Sequence, residues 1–194
     1  MLNGARPMAW LAEILCRPIA DQLSEAAEAA SGPLFLPYLI GERTPHGDPY
    51  IRAGFWGLGE ETSHGSLMRA VLEAIAFSFA DAARALETAG TRLEKLLAIG
   101  GGTRSDVLPQ MIADVIAIPI GRSDAADVGP ALGAARLAQI ATGVGVAAEV
   151  AGQPDVSRWF NPNPRCAAQD TPRLAAYRQL YPAFKSVAAQ LATD

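Results

Sequence analysis

The stretch that most limits how this chain can fold is KLLAIGGGTRSDVLPQMIADV, which ends at Val115. Its first five residues predict a buried strand, because four of them are apolar in succession. Three consecutive glycines follow, and apolar residues then return at helical spacing, which predicts a helix over about 105–117. A buried strand that enters a helix through a glycine turn is typical of an α/β fold with parallel strands.

The rest of the chain adds short helices and strands around this unit. Pro37 limits LFLPYL to an edge strand or an extended segment, because proline cannot donate a hydrogen bond to a neighbouring strand. A long helix is predicted between a Ser63 cap and Ala89, since its apolar residues recur at steps of three and four. The other predicted elements are helices over 8–15 and 20–30, a strand within 53–59, a segment at 118–120 and a helix from about Pro130.

The chain is predicted to form one domain with a C-terminal extension. Its 194 residues, half of them hydrophobic, suffice for one core. Beyond Gly152 the composition becomes rich in proline and asparagine, and helical character returns only from TPRLAAYRQL onward, with Pro182 expected to interrupt it. We therefore assign residues 1–151 to the main lobe and residues 152–194 to an extension of the same domain that ends in a helix.

Composition and charge exclude several classes of function. The net charge is −4, and lysine and arginine are scattered, so a nucleic-acid surface is not expected. No stretch has the pattern of a signal peptide or a membrane span. The two cysteines are far apart and lack a metal-binding spacing, which indicates a reducing, cytoplasmic compartment.

The glycine turn is the strongest candidate for a ligand site. Glycine lacks Cβ, so a flat ring or a phosphate can approach the backbone at Gly100, Gly101 and Gly102. The helix start at 103–106 favours an anion through its N–H groups and its dipole. The alternative is that the glycines only permit tight packing. A second glycine-bearing turn, Asp127–Ala135, is expected to serve close helix packing.

The loop between Gly41 and Arg52 concentrates ionisable groups. Such a loop is equally typical of a salt-bridge network that fixes a domain boundary and of a cleft that binds a ligand. Both histidines, His46 and His64, lack the neighbours that a zinc site or a serine hydrolase would need. The acidic residues have no spacing that marks a general base.

Several ordered blocks resemble the FGGY carbohydrate kinases. They are LFLPYLIGERTPHGDP, AGFWGLGEETSHGSLMRAVLEAI, LLAIGGGTRSDVLPQMIADV and DVGPALGAARLAQIA, and they cover about residues 1–142. Ser66 departs from the pattern, because the family usually has an acidic or amide side chain there. The last block is similar to the form found in the D-xylulokinase subgroup, which implies D-xylulose as the sugar. Another pentulose or glycerol kinase, or a non-catalytic interaction fragment, remains an alternative.

The resemblance implies an actin-like, ribonuclease-H-like lobe: the C-terminal FGGY kinase domain without its first strands. It implies ATP or ADP as ligand, with Mg²⁺ on the phosphates. The expected nucleotide-binding residues are Gly100, Gly101, Gly102, Thr103, Arg104, Ser105 and Asp106. The catalytic aspartate and the pentulose site of such kinases lie in an N-terminal lobe that has no counterpart here, so this chain alone should be inactive.

A last implication concerns association. The family's lobe opens with antiparallel strands beside the strand at 95–99, and these strands are absent from the chain. An unpaired strand edge and an apolar face are therefore expected, which favours a homodimer or association with a missing segment.

Overall fold

A computed structural model describes residues 1–124, 129–152 and 154–191. Seven helices and five strands lie within these ranges. The helices are α1 (Arg6–Ile14), α2 (Ile19–Glu28), α3 (His64–Thr88), α4 (Val107–Ile116), α5 (Gly129–Ala141), α6 (Ala147–Val150) and α7 (Pro164–Leu191). The strands are β1 (Leu34–Leu36), β2 (Gly54–Trp56), β3 (Leu96–Ala98), β4 (Ile120–Arg122) and β5 (Arg158–Phe160).

The strands form two small sheets. β1 and β2 pair in antiparallel fashion, with Phe35 opposite Phe55. The other sheet has the order β3-β4-β5, in which β3 and β4 are parallel and β5 is antiparallel to β4. β3 therefore lies at the edge of this sheet, and its second edge pairs with no strand of the described ranges. This confirms the α/β fold class, with β3-α4-β4 as its parallel unit.

The core is built around α3. Its buried residues include Met68, Leu72 and Ile75, each no more than 1% exposed. The helix begins with a capping box, in which the Ser63 hydroxyl accepts from the Ser66 amide at 3.1 Å and the Ser66 hydroxyl accepts from the Ser63 amide at 2.8 Å. Ser66 thus makes the reciprocal hydrogen bond for which glutamate or glutamine is the usual residue.

The C-terminal helix α7 is tied to this core. Arg173 contacts the buried carboxylate of Glu73 in α3 through Nε and Nη2, at 2.8 and 2.6 Å from Oε2, and Arg69 contacts Oε1 at 3.1 Å. One turn further along α7, the Tyr177 hydroxyl lies 2.9 Å from the Ser78 hydroxyl of α3. The extension and the main lobe therefore share buried polar contacts.

Two predictions for individual elements were wrong, and one strand was not predicted. β3 is not buried, because Leu97 is 41% exposed. No strand among the described residues pairs with its outer edge. α7 begins at Pro164, earlier than expected, and it continues through Pro172 and also through Pro182, where we expected an interruption. Its packing against α4, β1 and α3 compensates for the hydrogen bonds that the prolines cannot make. β5 was not predicted.

The remaining expectations have mixed outcomes. The helix expected from about Pro130 is α5. Asp127 and Val128, which open the second glycine-bearing turn, lie outside the described residues. Within the described ranges, no helix combines the length and apolar character needed to cross a bilayer.

Candidate functional site

The glycine turn forms a short 3₁₀ turn at Gly101–Thr103 between β3 and α4. The Thr103 amide and hydroxyl both donate to the Gly100 carbonyl, at 3.1 and 2.8 Å. The Arg104 amide donates to the Gly101 carbonyl at 3.3 Å. Thr103 is buried, so its hydroxyl fixes the turn from the inside. Hydrogen bonds within the turn therefore define its shape.

The three glycines of the turn have different surroundings. Gly100 has φ +94°, a conformation that residues with a side chain rarely adopt. At Gly102 an added Cβ would lie 2.7 Å from the Ala5 Cβ, so this glycine permits close packing against α1. At Gly100 and at Gly101 an added Cβ would meet no atom within 4 Å. Gly101 is thus the one position of the three where neither a positive φ nor a close neighbour requires glycine.

Charged side chains flank the turn on the side of β4 and β5. Arg122 Nη1 donates to the Thr103 carbonyl at 2.7 Å and lies 2.9 Å from Asp106 Oδ1. Arg158 Nη1 lies 2.6 Å from Asp106 Oδ2. Both guanidinium groups stand over the buried Phe160 ring, with their Cζ atoms 5.3 and 5.1 Å from its centroid. We refer to Arg122, Arg158, Asp106 and Phe160 as the Asp106 cluster.

A cavity of about 490 Å³ opens beside the turn. One wall is the backbone of the turn, residues 100–103. The rest of the lining is mainly apolar and comes from α3, α4, β3, β4 and the residues just before α1. The apolar contributors are Ile75, Phe79, Leu96, Leu108, Ile112 and Ile120. The cavity thus combines a glycine-rich backbone rim with an apolar interior.

The seven predicted site residues are consecutive in sequence, and the structure gives them different surroundings. Residues 100–103 line the cavity. The Ser105 hydroxyl accepts from the Val107 amide at 3.3 Å. Asp106 stands at the start of α4 but does not cap the helix with its side chain; its carboxylate turns to the two arginines.

The charged loop at 41–52 has mainly structural contacts. The buried Glu42 carboxylate accepts from the amides of Leu2, Arg43 and Thr44. Asp48 accepts from the Tyr181 hydroxyl of α7 at 3.0 Å. These contacts favour the first of the two interpretations of the loop, a polar network that fixes its position.

Burial governs the titration of the groups beside this loop. His46 stacks on Tyr181 with ring centroids 3.6 Å apart, and its Nε2 lies 3.1 Å from the Tyr38 hydroxyl. Loss of hydration lowers the pKa of His46, although Asp81, Glu42 and Asp48 act in the opposite direction. Burial likewise raises the pKa of Tyr177 to about 12. All of these side chains lie away from the glycine turn.

The described residues offer no ligand set for the Mg²⁺ that the resemblance implies. Across the ranges 1–124, 129–152 and 154–191, no three His, Cys, Asp or Glu residues are grouped so that they could hold a metal ion. The one carboxylate beside the turn, Asp106, is already paired with two arginines. We therefore derive no step that depends on a metal bound by this part of the chain.

Comparisons with known proteins agree with this geometry. The model of the FGGY family of carbohydrate kinases, C-terminal domain, matches residues 5–142. The chain belongs to this family. It is 37% identical to a xylulose kinase from Escherichia coli (strain K12) over 93% of the chain, and 38% identical to a glycerol kinase from Geobacter sp. (strain M21) over 73%.

Solved structures show the same fold. The ligand-bound xylulose kinase from Lactobacillus acidophilus superposes with a TM-score of 0.84 at 29% identity over 97% of this chain. The fold is therefore the actin-like, ribonuclease-H-like ATPase fold of the FGGY kinases. The chain spans 38% of the E. coli relative, 29% of the Geobacter relative and 40% of the L. acidophilus chain.

Sequence reasoning missed the Asp106 cluster. Arg122 and Arg158 are distant in sequence from Asp106 and from each other, and Phe160 lies in a segment with no periodic pattern. The only local signal is the Arg-Trp-Phe triplet at 158–160, whose aromatic residues favour a short strand. Strand pairing with β4 brings these residues to the glycine turn.

Proposed function

We propose that this chain forms the nucleotide-binding side of an ATP-dependent carbohydrate kinase that phosphorylates D-xylulose. The observation that carries the proposal is the open space at Gly101, on the rim of the cavity and in a preformed turn at the end of a parallel strand. Ligands of open α/β sheets bind at the carboxyl ends of the strands. The family match and the similarity to xylulose kinases support the class of reaction.

The bound nucleotide would use the turn in two ways. The absence of a side chain at Gly101 lets the adenosine approach the backbone, and residues 103–106 at the start of α4 would lie near the ribose and the phosphates. Transfer of the γ-phosphoryl group depends on the positioning of both substrates and on charge stabilisation. The nucleotide-binding half of the site would therefore bind ATP without catalysing the transfer. We infer that the base that accepts the sugar proton lies outside this part of the protein.

Substrate identity rests on similarity alone. Similarity to the E. coli xylulose kinase extends over 93% of the chain, whereas similarity to the Geobacter glycerol kinase extends over 73%. D-Xylulose is accordingly the first choice and glycerol the second. The sugar would be held by the part of the kinase that this chain does not span.

A phosphotransfer assay tests whether this chain binds the nucleotide but lacks catalytic activity without the rest of the kinase. We expect the chain with MgATP and D-xylulose to form no sugar phosphate above the rate of a blank, while ADP still binds. The measurement is a coupled ADP-release assay run beside a binding titration with the same sample. Turnover with D-xylulose or glycerol would show that a catalytic base is present and would contradict the proposal.

We also propose that the outer edge of β3 is covered by further strands or by a second copy of the chain. Leu97 and Ile99 are 41% and 61% exposed, and β3 pairs only with β4 within the described ranges. An unpaired edge with exposed apolar side chains readily accepts another strand.

Sedimentation velocity tests this edge. We expect the wild-type chain to associate as its concentration rises, and Leu97→Lys to shift the protein toward the monomer, because a charge on an edge strand opposes pairing. The matched control is Leu58→Lys, which alters a leucine that is 60% exposed in the segment between β2 and α3. Equal association of all three proteins would refute the role of the edge.

A further inference from the structure

The segment beyond the family match reaches back to the glycine turn. The match ends at residue 142, whereas β5 begins at Arg158 and pairs with β4. In this pairing Arg158 is the register partner of Arg122. Like charges placed directly opposite each other destabilise an antiparallel pair, so a compensating group is needed.

The compensating group is Asp106. Its two carboxylate oxygens each face one arginine, Oδ1 towards Arg122 and Oδ2 towards Arg158. Phe160, which is 2% exposed, lies beneath both guanidinium groups and restricts their positions. The cluster therefore holds one carboxylate between two cations on a fixed apolar platform.

This arrangement determines the charge beside the turn. Asp106 alone would present a negative charge at the start of α4, next to the site where the phosphates are proposed to lie. With Arg122 and Arg158 the cluster has a net charge of +1, although the whole chain has a net charge of −4. An anionic ligand is favoured by the positive sum and would be opposed by the carboxylate alone.

The cluster is also mechanically linked to the turn. Arg122 Nη1 holds both the Thr103 carbonyl of the turn and Asp106 at the helix start. Arg158 holds the second oxygen of the same carboxylate. Movement of Asp106 would therefore be transmitted to Thr103 through Arg122.

We propose that Arg158 is a positioning residue for nucleotide binding, which acts through Asp106 and Arg122 to keep the turn preformed and its surroundings positive. The inference rests on the proposed nucleotide site and deepens it, because it extends the site to the C-terminal segment outside the matched domain. Arg158 is not required to touch the nucleotide.

The test compares two arginines of the C-terminal segment. Arg158→Gln removes the contact with Asp106, and Arg178→Gln removes a similar ion pair, Arg178 Nε to Asp81 Oδ1 at 2.7 Å, which lies on α3 and away from the turn. We expect Arg158→Gln to weaken ADP binding about fivefold and Arg178→Gln to leave it unchanged. The measurement is an NMR titration of each full chain with ADP, with the melting temperature of each variant recorded as a control for folding.

Two further readouts separate positioning from direct contact. In an Asp106→Asn background, Arg158→Gln should cause a smaller loss of affinity than in the wild type, because the ion pair that it removes is already broken. In the absence of nucleotide, amide hydrogen exchange at residues 101–106 should accelerate in Arg158→Gln and not in Arg178→Gln. Arg158→Lys, which keeps a cation, should recover part of both effects.

The outcomes are distinguishable. Failure of the wild-type chain to bind ADP contradicts the proposed function, and the exchange rates then still decide whether Arg158 orders the turn. Normal ADP binding and unchanged exchange in Arg158→Gln overturn the inference while the proposed function stands. A loss of affinity that is as large in the Asp106→Asn background as in the wild type would mean that Arg158 does not act through Asp106, which also overturns the positioning role.

Discussion

Replacing Gly101 with valine is expected to reduce ADP affinity by at least about tenfold without unfolding the protein. An added Cβ at this position meets no protein atom within 4 Å, so the valine side chain would occupy the space that we assign to the nucleotide. The backbone at Gly101 does not require φ in the left-handed region, and the substitution should change the free energy of unfolding by less than about 1 kcal/mol. Isothermal titration with ADP and thermal melting measure the two quantities.

Two other glycines give this prediction its controls. Gly54 on β2 also has open space around an added Cβ and lies away from the turn, so Gly54→Val should alter neither quantity. In contrast to Gly101→Val, Gly102→Ala should lower the free energy of unfolding, by about 1–3 kcal/mol, because its Cβ would overlap Ala5. Its effect on ADP affinity should be the smaller of the two. Equal ADP affinity in wild type and Gly101→Val would contradict the proposal that this turn forms one side of a nucleotide site.

The largest effect on stability is expected from Arg173→Met. Glu73 is 2% exposed, and loss of the Arg173 side chain would leave its buried carboxylate with Arg69 as its remaining cationic contact. Breaking a buried ion pair in this way costs about 3 kcal/mol. For a chain of this length the melting temperature should fall by about 6–12 °C. Differential scanning calorimetry measures the change.

A second substitution distinguishes the buried charge from lost packing. In the double variant Glu73→Met with Arg173→Met no buried carboxylate remains at this position, so it should be more stable than Arg173→Met alone. Arg92→Met, which alters an ion pair exposed on both sides, should melt with the wild type. If Arg173→Met also melts with the wild type, α7 is not held to α3 by this contact.

The sequence predicted the elements whose pattern is local. The apolar spacing of α3 and the serine at its N-cap defined that helix to within a residue, because both signals lie within the element itself. The glycine turn between β3 and α4 was equally visible, since glycine is the residue that such a turn requires. The resemblance to the FGGY kinases then supplied the fold class that these local elements alone left open.

Features that depend on contacts between distant segments were not predictable. β5 has three residues and forms because β4 offers it an edge, so its own sequence carries little signal. The continuity of α7 through Pro182 depends on packing against several elements of the main lobe. The Asp106 cluster joins residues from three elements, and nothing in the segment around Asp106 indicates its partners.

The central claim is that the turn at residues 100–106 forms one side of a nucleotide site. The most direct measurement is a titration of the isotopically labelled chain with ADP, followed through the backbone amide signals. The account predicts saturable shifts at Gly100–Asp106 and at residues lining the adjoining cavity, and none in the loop at 41–52. Shifts confined to another surface, or no shifts in the turn at millimolar ADP, would contradict it.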